Sequence, residues 1–398
     1  MENIAVKYST LSKLYLILIM SLIISFPFIY GISSISITFL TISITGTGVI
    51  LLIKSTPLIK YIPISIFWVK AIILLYLYNN ANIYIFPDSH EYIKILNDII
   101  GMDTYDFQLI TGAAQTLHVG FYYVYLVIYQ VFDNALAILL TNTLFTTLSA
   151  ILFYKIFKFR FNHKIAFMVF VLFSLSANIF IFGSFILKDP IVMFLIALSL
   201  YLYLNKNRMF FALLISLFLI TVRIYSGFAI IAAIIIDYLI FSNLSRKRKL
   251  IAFFALFLFL TIIFNLPISQ GYLGLSTSFL SDMSIFNAIL IIPSTLLKFF
   301  FSPLPWNIFN NADVYRYLII DSITMLLLSF SLIVFIFKWF KFKELRRKYY
   351  IFLILILVHA FALGVEYGGD STRQRSGIFV FLLLTFILGI FYKERAEK

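Results

Sequence analysis

The chain has 398 residues, 62% of them hydrophobic and 12% charged, with 31 Lys and Arg against 17 Asp and Glu. A soluble domain carries about twice this charged fraction, which excludes the ordinary soluble globular classes. The absence of cysteine excludes disulfides, thiolate nucleophiles and cysteine metal sites, and the net charge of +14 falls in short runs between apolar stretches, as membrane topology requires and nucleic-acid binding does not.

The apolar runs are about 16–22 residues long and apolar all round, which predicts spanning helices rather than the alternating strands of a barrel. The first run, Leu14–Tyr30, follows Lys7 and Lys13. It is long for a signal peptide and no small-residue cleavage site follows it, so it is expected to stay as a first helix. Further spans are predicted near 34–53, 62–78, 135–154, 165–184, 190–204, 209–222, 225–242, 250–266, 317–337, 351–364 and 376–392. The expected fold is therefore all-α, a polytopic transmembrane helical bundle of about twelve spans forming one membrane domain over 1–398.

With both termini in the cytoplasm, about 23 of the 31 Lys and Arg fall inside, including Lys54/Lys60, Lys155–Lys164, Lys206/Arg208, Arg246–Lys249, Lys338–Lys348 and Lys393–Lys398. The apolar stretch His118–Phe132 must then not cross, or the Lys155–Lys164 cluster would move outside, so an interfacial or re-entrant helix is expected within a long first outer loop. The outer loops are 79–134, 267–316 and 366–375, and most carboxylates map to that side. Inside the bilayer Lys70 and Asp237 fall at a similar depth, which predicts a buried ion pair.

Four outer segments carry candidate chemistry. In Pro87-Asp88-Ser89-His90-Glu91-Tyr92, a helix would put Asp88 and Glu91 on one face, able to take a proton from a hydroxyl or hold a divalent cation. The same spacing is also that of an N-terminal capping box. Lys188-Asp189-Pro190 reads as a helix start with Asp189 as cap, leaving Lys188 free for a phosphate. Arg223, followed by Tyr225, lies at an outer boundary where its planar fork suits an oxyanion, with snorkelling to headgroups as the alternative. Arg373 and Arg375 enter the last span from the outer side, where they could neutralise a phosphate or pair with Glu366 and Asp370. The loop Pro303–Tyr317 adds Trp306, Asp313 and Arg316, residue types equally suited to interfacial anchoring, and His118 and His359 stand alone.

Taken together these segments resemble the GT-C superfamily of membrane glycosyltransferases, the group of protein O-mannosyltransferases and aminoarabinose transferases. The resemblance rests on the acidic Asp88–Tyr92 in the first long outer loop, Leu117-His118-Val119-Gly120 opening an interfacial helix, Lys188-Asp189-Pro190, and arginines at Arg223 and at Arg373 or Arg375. It implies a glycosyltransferase that moves a sugar from a polyprenyl-phosphate or diphosphate carrier to a glycan, lipid or protein acceptor on the non-cytoplasmic face. Asp88 would be the general base, with Glu91 orienting it or sharing a divalent cation. Tyr92, His118, Lys188, Asp189, Arg223, Tyr225, Arg316, Arg373 and Arg375 would line the donor site. A related repeat-unit polymerase would use the same face and carrier. A flippase or transporter is the reading from another class, for which the sequence shows only two midplane ions and no evident repeat.

Overall fold

The computed structural model describes residues 33–53, 56–102, 119–241, 245, 318–367 and 373–393. Among them every regular element is a helix and there is no strand. Of the described helices, five are long and apolar enough to cross a membrane, or up to seven spans if each bent pair counts as one. The runs expected at 14–31 and 250–266 lie outside the described residues.

In chain order the helices are α1 (Ser34–Leu52), α2 (Pro57–Asn80), α3 (Pro87–Ile100), α4 (Val119–Phe132), α5 (Ala135–Arg160), α6 (His163–Leu175), α7 (Ala177–Ser184), α8 (Asp189–Lys206), α9 (Met209–Val222), α10 (Ile224–Phe241), α11 (Ile319–Leu328), α12 (Phe330–Lys341), α13 (Lys343–Tyr367) and α14 (Phe379–Phe391), with a 3-10 turn at Gln374–Ile378 before the last. Helix α5 is the central post. It is buried on all sides along most of its length, its Thr, Asn and Ser side chains included, and α1, α2, α4, α6, α7 and α8 pack around it. Asn134 starts it by accepting from the Ala137 N–H.

The bundle has two chemically different ends. At one, Lys60 donates to the Leu51 carbonyl, Lys155 and Lys206 stand over the Tyr201 ring, and Lys338 caps α14 by donating to Gly389 and Tyr392 carbonyls at 2.7 and 3.0 Å. Helix α8 has 18 residues, so its other end lies about 27 Å away. There α2, α5, α8, α9, α10, α13 and α14 begin or finish near the loops that carry Asp88, Asp189, Arg223 and Arg373. Residues 119–132 of the apolar run form α4, 14 residues and about 21 Å long, packed against α3, α5 and α9. That is too short to cross about 30 Å of hydrocarbon unaided.

Three expectations need correction. The single spans at 165–184 and 317–337 are bent pairs, α6 and α7 meeting at 62° and α11 and α12 at 45°. Ser176 starts a new helical ladder by accepting from the Ile179 N–H while donating to Asp321 at 2.8 Å, so the helix restarts without a Pro or Gly to announce it. The Lys70–Asp237 ion pair does not form. Helix α2 packs on α1 and α5, whereas α10 packs on α8, α9 and α13, so equal depth leaves the two residues on different flanks. Asp237 instead accepts from the Tyr203 hydroxyl at 2.9 Å, and Lys70 stands over the Phe180 ring.

Candidate functional site

Helix α3 starts with Pro87 in its first turn and Phe86 as cap, so Asp88 is already inside the helix and the capping-box expectation fails. One turn on, Tyr92 points the same way and donates to Asp88 Oδ2 at 3.5 Å. Helix α8 starts one residue earlier than the sequence suggests: Lys188 is the cap and Asp189 the first helical residue. That removes Asp189 from capping work and turns its carboxylate to the arginines. The helix still assists, because its N-terminal dipole favours a negative charge there.

Arg223 is the extended linker between α9 and α10, and its side chain returns to Asp189 Oδ1 at 2.8 Å. Gly227 makes this turn possible, since a Cβ there would stand 2.7 Å from the Ile220 backbone nitrogen. His359 on α13 supports the same turn from below, donating to the Leu355 carbonyl at 2.9 Å and meeting the Ser226 hydroxyl at 3.2 Å. Arg373, ahead of the 3-10 turn, joins the two carboxylates: its Nη1 lies 2.6 Å from Asp88 Oδ2 and its Nε 3.1 Å from Asp189 Oδ2. Ser376 adds a 3.3 Å bond to Asp189 Oδ1.

The result is a chain Asp88–Arg373–Asp189–Arg223, assembled from segments up to 285 residues apart. It is graded in exposure. The Asp189 side chain is 0% exposed and Arg223 3%, Arg373 is 15% and Asp88 is 42%, so the cluster opens to the outside at Asp88. Burial opposes the charge on both guanidiniums, but Asp189 with Tyr225 at Arg223, and Asp189 with Tyr92 and Asp88 at Arg373, together outweigh it and both stay firmly protonated. Burial pushes the Tyr92 hydroxyl up, out of any acid–base range near neutrality.

Lys188 is the unbalanced member. Among the described residues its ammonium has no hydrogen-bond or ion-pair partner. Burial, with Arg223 and Arg373 next, pushes it down to about 7, against the pull of Asp189 and Asp88. Three cations therefore face two carboxylates, and one of those cations is uncommitted.

The segment leading into Lys188 is irregular backbone held by side chains. Thr146 donates to the Gly183 carbonyl at 2.5 Å, Asn142 to Phe185 at 2.5 Å and Leu187 at 3.4 Å, and Ser89 to Ile186 at 3.0 Å. Tyr125 in turn donates to Asn142 Oδ1. Ser89 is next to Asp88, so it couples the positions of the two carboxylates. Sequence reasoning missed Ser89, Asn142, Thr146 and Ser376, because single small polar residues in apolar helices carry no periodic signal.

Other expected residues fall elsewhere. Glu91 is exposed and stays outside the ion-pair chain. Arg375 is buried over the Phe379 ring and its charge acts on Asp321. Tyr225 lies beside Arg223, with the guanidinium 5.6 Å from its ring centre. His118, Arg316, Trp306, Asp313, Glu366 and Asp370 lie where the structure describes no side chains. No group of three His, Asp or Glu suited to a metal occurs among the described residues. A divalent cation on Asp88 and Glu91 would also face the Arg373 guanidinium 2.6 Å from Asp88, a like-charge conflict. No family model, curated protein or solved structure matches this chain.

Proposed function

We propose that this is a multi-pass membrane glycosyltransferase that moves a sugar from a polyprenyl-phosphate or diphosphate carrier onto an acceptor hydroxyl at the non-cytoplasmic face. One observation carries the reading: five chemically matched groups, Asp88, Lys188, Asp189, Arg223 and Arg373, converge at the bundle end opposite the basic one. The positive-inside rule puts that basic end, and both termini, in the cytoplasm, and about twelve spans would satisfy it.

In this reaction the acceptor oxygen bonds to the anomeric carbon while the carbon–phosphate oxygen bond breaks, its electron pair leaving with the phosphate. Asp88 Oδ1, free of the ion pair on Oδ2, takes the acceptor proton. Lys188, Arg223 and Arg373 stabilise the charge gathering on the leaving group, with burial around Asp189 and Arg223 strengthening the contacts on that inner side. The Arg373–Asp88 pair holds the base partly neutralised until an incoming phosphate draws the guanidinium away.

The test uses the purified full chain with a polyprenyl-linked sugar donor. Asp88→Asn is expected to lower turnover by about 10²–10⁴; near-normal turnover would refute the base assignment. A repeat-unit polymerase would share this chemistry and differ in product: deletion would remove long glycan ladders instead of one sugar.

A further inference from the structure

Lys70 is not explained by the site at the end of the bundle. It lies 13 residues from the start of α2 and 10 from its end, about 15–20 Å from either. Its side chain is 8% exposed and makes no hydrogen bond or ion pair among the described residues, with only the Phe180 ring facing it, 5.9 Å from the ammonium. No carboxylate among those residues acts on it. An uncompensated ammonium at mid-membrane depth is among the costlier arrangements a bundle can hold, and such groups face a partner or a cavity.

Lys70 does face a cavity, formed between α2, α5 and α6. Ser174, 5% exposed, lines it with a hydroxyl that also lacks a partner among the described residues. Thr146 and Thr147 line it as well, but their protons are committed to backbone carbonyls of Gly183 and Thr143. The rest is apolar, with Phe170 and Phe173 on the wall. The pocket thus presents two unspent donors, one of them charged, and no acidic group. Its free space holds about one water-sized particle, too little for a phosphate headgroup or a sugar.

We propose that Lys70 and Ser174 form a midspan binding site for a small monovalent anion of the chloride class. The anion supplies the counter-charge that no carboxylate provides, and the four-carbon lysine stem gives enough freedom to seat an ion slightly larger than water. The proposal is independent of the glycosyl-transfer reading, since it concerns a different place in the bundle.

Thermal unfolding of the purified full chain in detergent, at fixed ionic strength in chloride or in gluconate, tests it. Chloride is expected to raise the midpoint saturably in the native protein. Lys70→Met should abolish the chloride dependence, and Ser174→Ala should shift the half-saturating concentration about tenfold upward. Broadening of the chloride-35 resonance should be present in the native protein and absent in Lys70→Met. Equal midpoints in the two anions, or an unchanged chloride response in Lys70→Met, would overturn the site and leave water beside a neutral amine. If Lys70→Met does not fold, Ser174→Ala alone decides: an unmoved half-saturation point refutes the proposal.

Discussion

Asp88 and Asp189 share one arginine but sit at opposite ends of an exposure gradient, so the same Asp→Asn change should have opposite consequences at the two positions. Asp189 is 0% exposed and holds Arg223 at 2.8 Å and Arg373 at 3.1 Å. Removing its charge leaves two cations in a low-dielectric interior, which costs about 3–5 kcal/mol. Asp88 is 42% exposed, so solvent screens its 2.6 Å pair and the loss should stay below about 1 kcal/mol. At about 2.1 cal/mol/K per residue over 398 residues, the first change lowers the unfolding midpoint by about 4–6 °C and the second by about 1 °C or less. Unfolding of both purified variants in one detergent, followed by loss of the monodisperse peak on size exclusion, measures the difference. Sugar transfer should fail in Asp88→Asn while the fold survives. A midpoint that falls as far for Asp88→Asn as for Asp189→Asn would refute the gradient and with it the division between a supporting and a reacting carboxylate.

Burial holds Lys188 near 7, below its ordinary 10.5, so between those values the unfolded chain binds more protons than the folded one. Stability should therefore rise with pH across about 7 to 10.5, and Lys188→Met should flatten that slope in pH-dependent unfolding. Conversely, affinity for a polyprenyl phosphate should fall as pH rises above about 7 in the native protein, and Lys188→Met should remove that dependence. Asn142→Ala leaves the Phe185 carbonyl without its buried donor, at a cost of about 1–3 kcal/mol, and limited proteolysis should then cut near 185–188. Gly227→Ala forces a Cβ against the Ile220 backbone and should cost about 1–3 kcal/mol, with Arg223→Ala adding little to it in the double variant.

The helical class and most described helix positions were legible because hydrocarbon demands long apolar runs whatever the tertiary packing. The site was partly legible for the converse reason: Asp88, Lys188, Asp189, Arg223 and Arg373 are ionisable groups at helix ends far from the basic clusters, where topology alone would not put arginine. Their mutual contacts were not legible, since the pairs are 184 and 285 residues apart. The Lys70–Asp237 pairing failed because span position sets depth but not which flank of the bundle a helix occupies. The break at Ser176 was hidden because its cause, Asp321, reaches it from 145 residues away.

Arg373 and Ser376 belong to the link before α14, and they supply counter-charge and a hydrogen bond to a carboxylate laid down 184 residues earlier. During synthesis Asp189 is therefore followed closely by Arg223, while the partner for Asp88 is still unmade. The cluster therefore stays incomplete until residue 373 has joined the chain, and a chain stalled before it would lack the guanidinium that links Asp88 to Asp189.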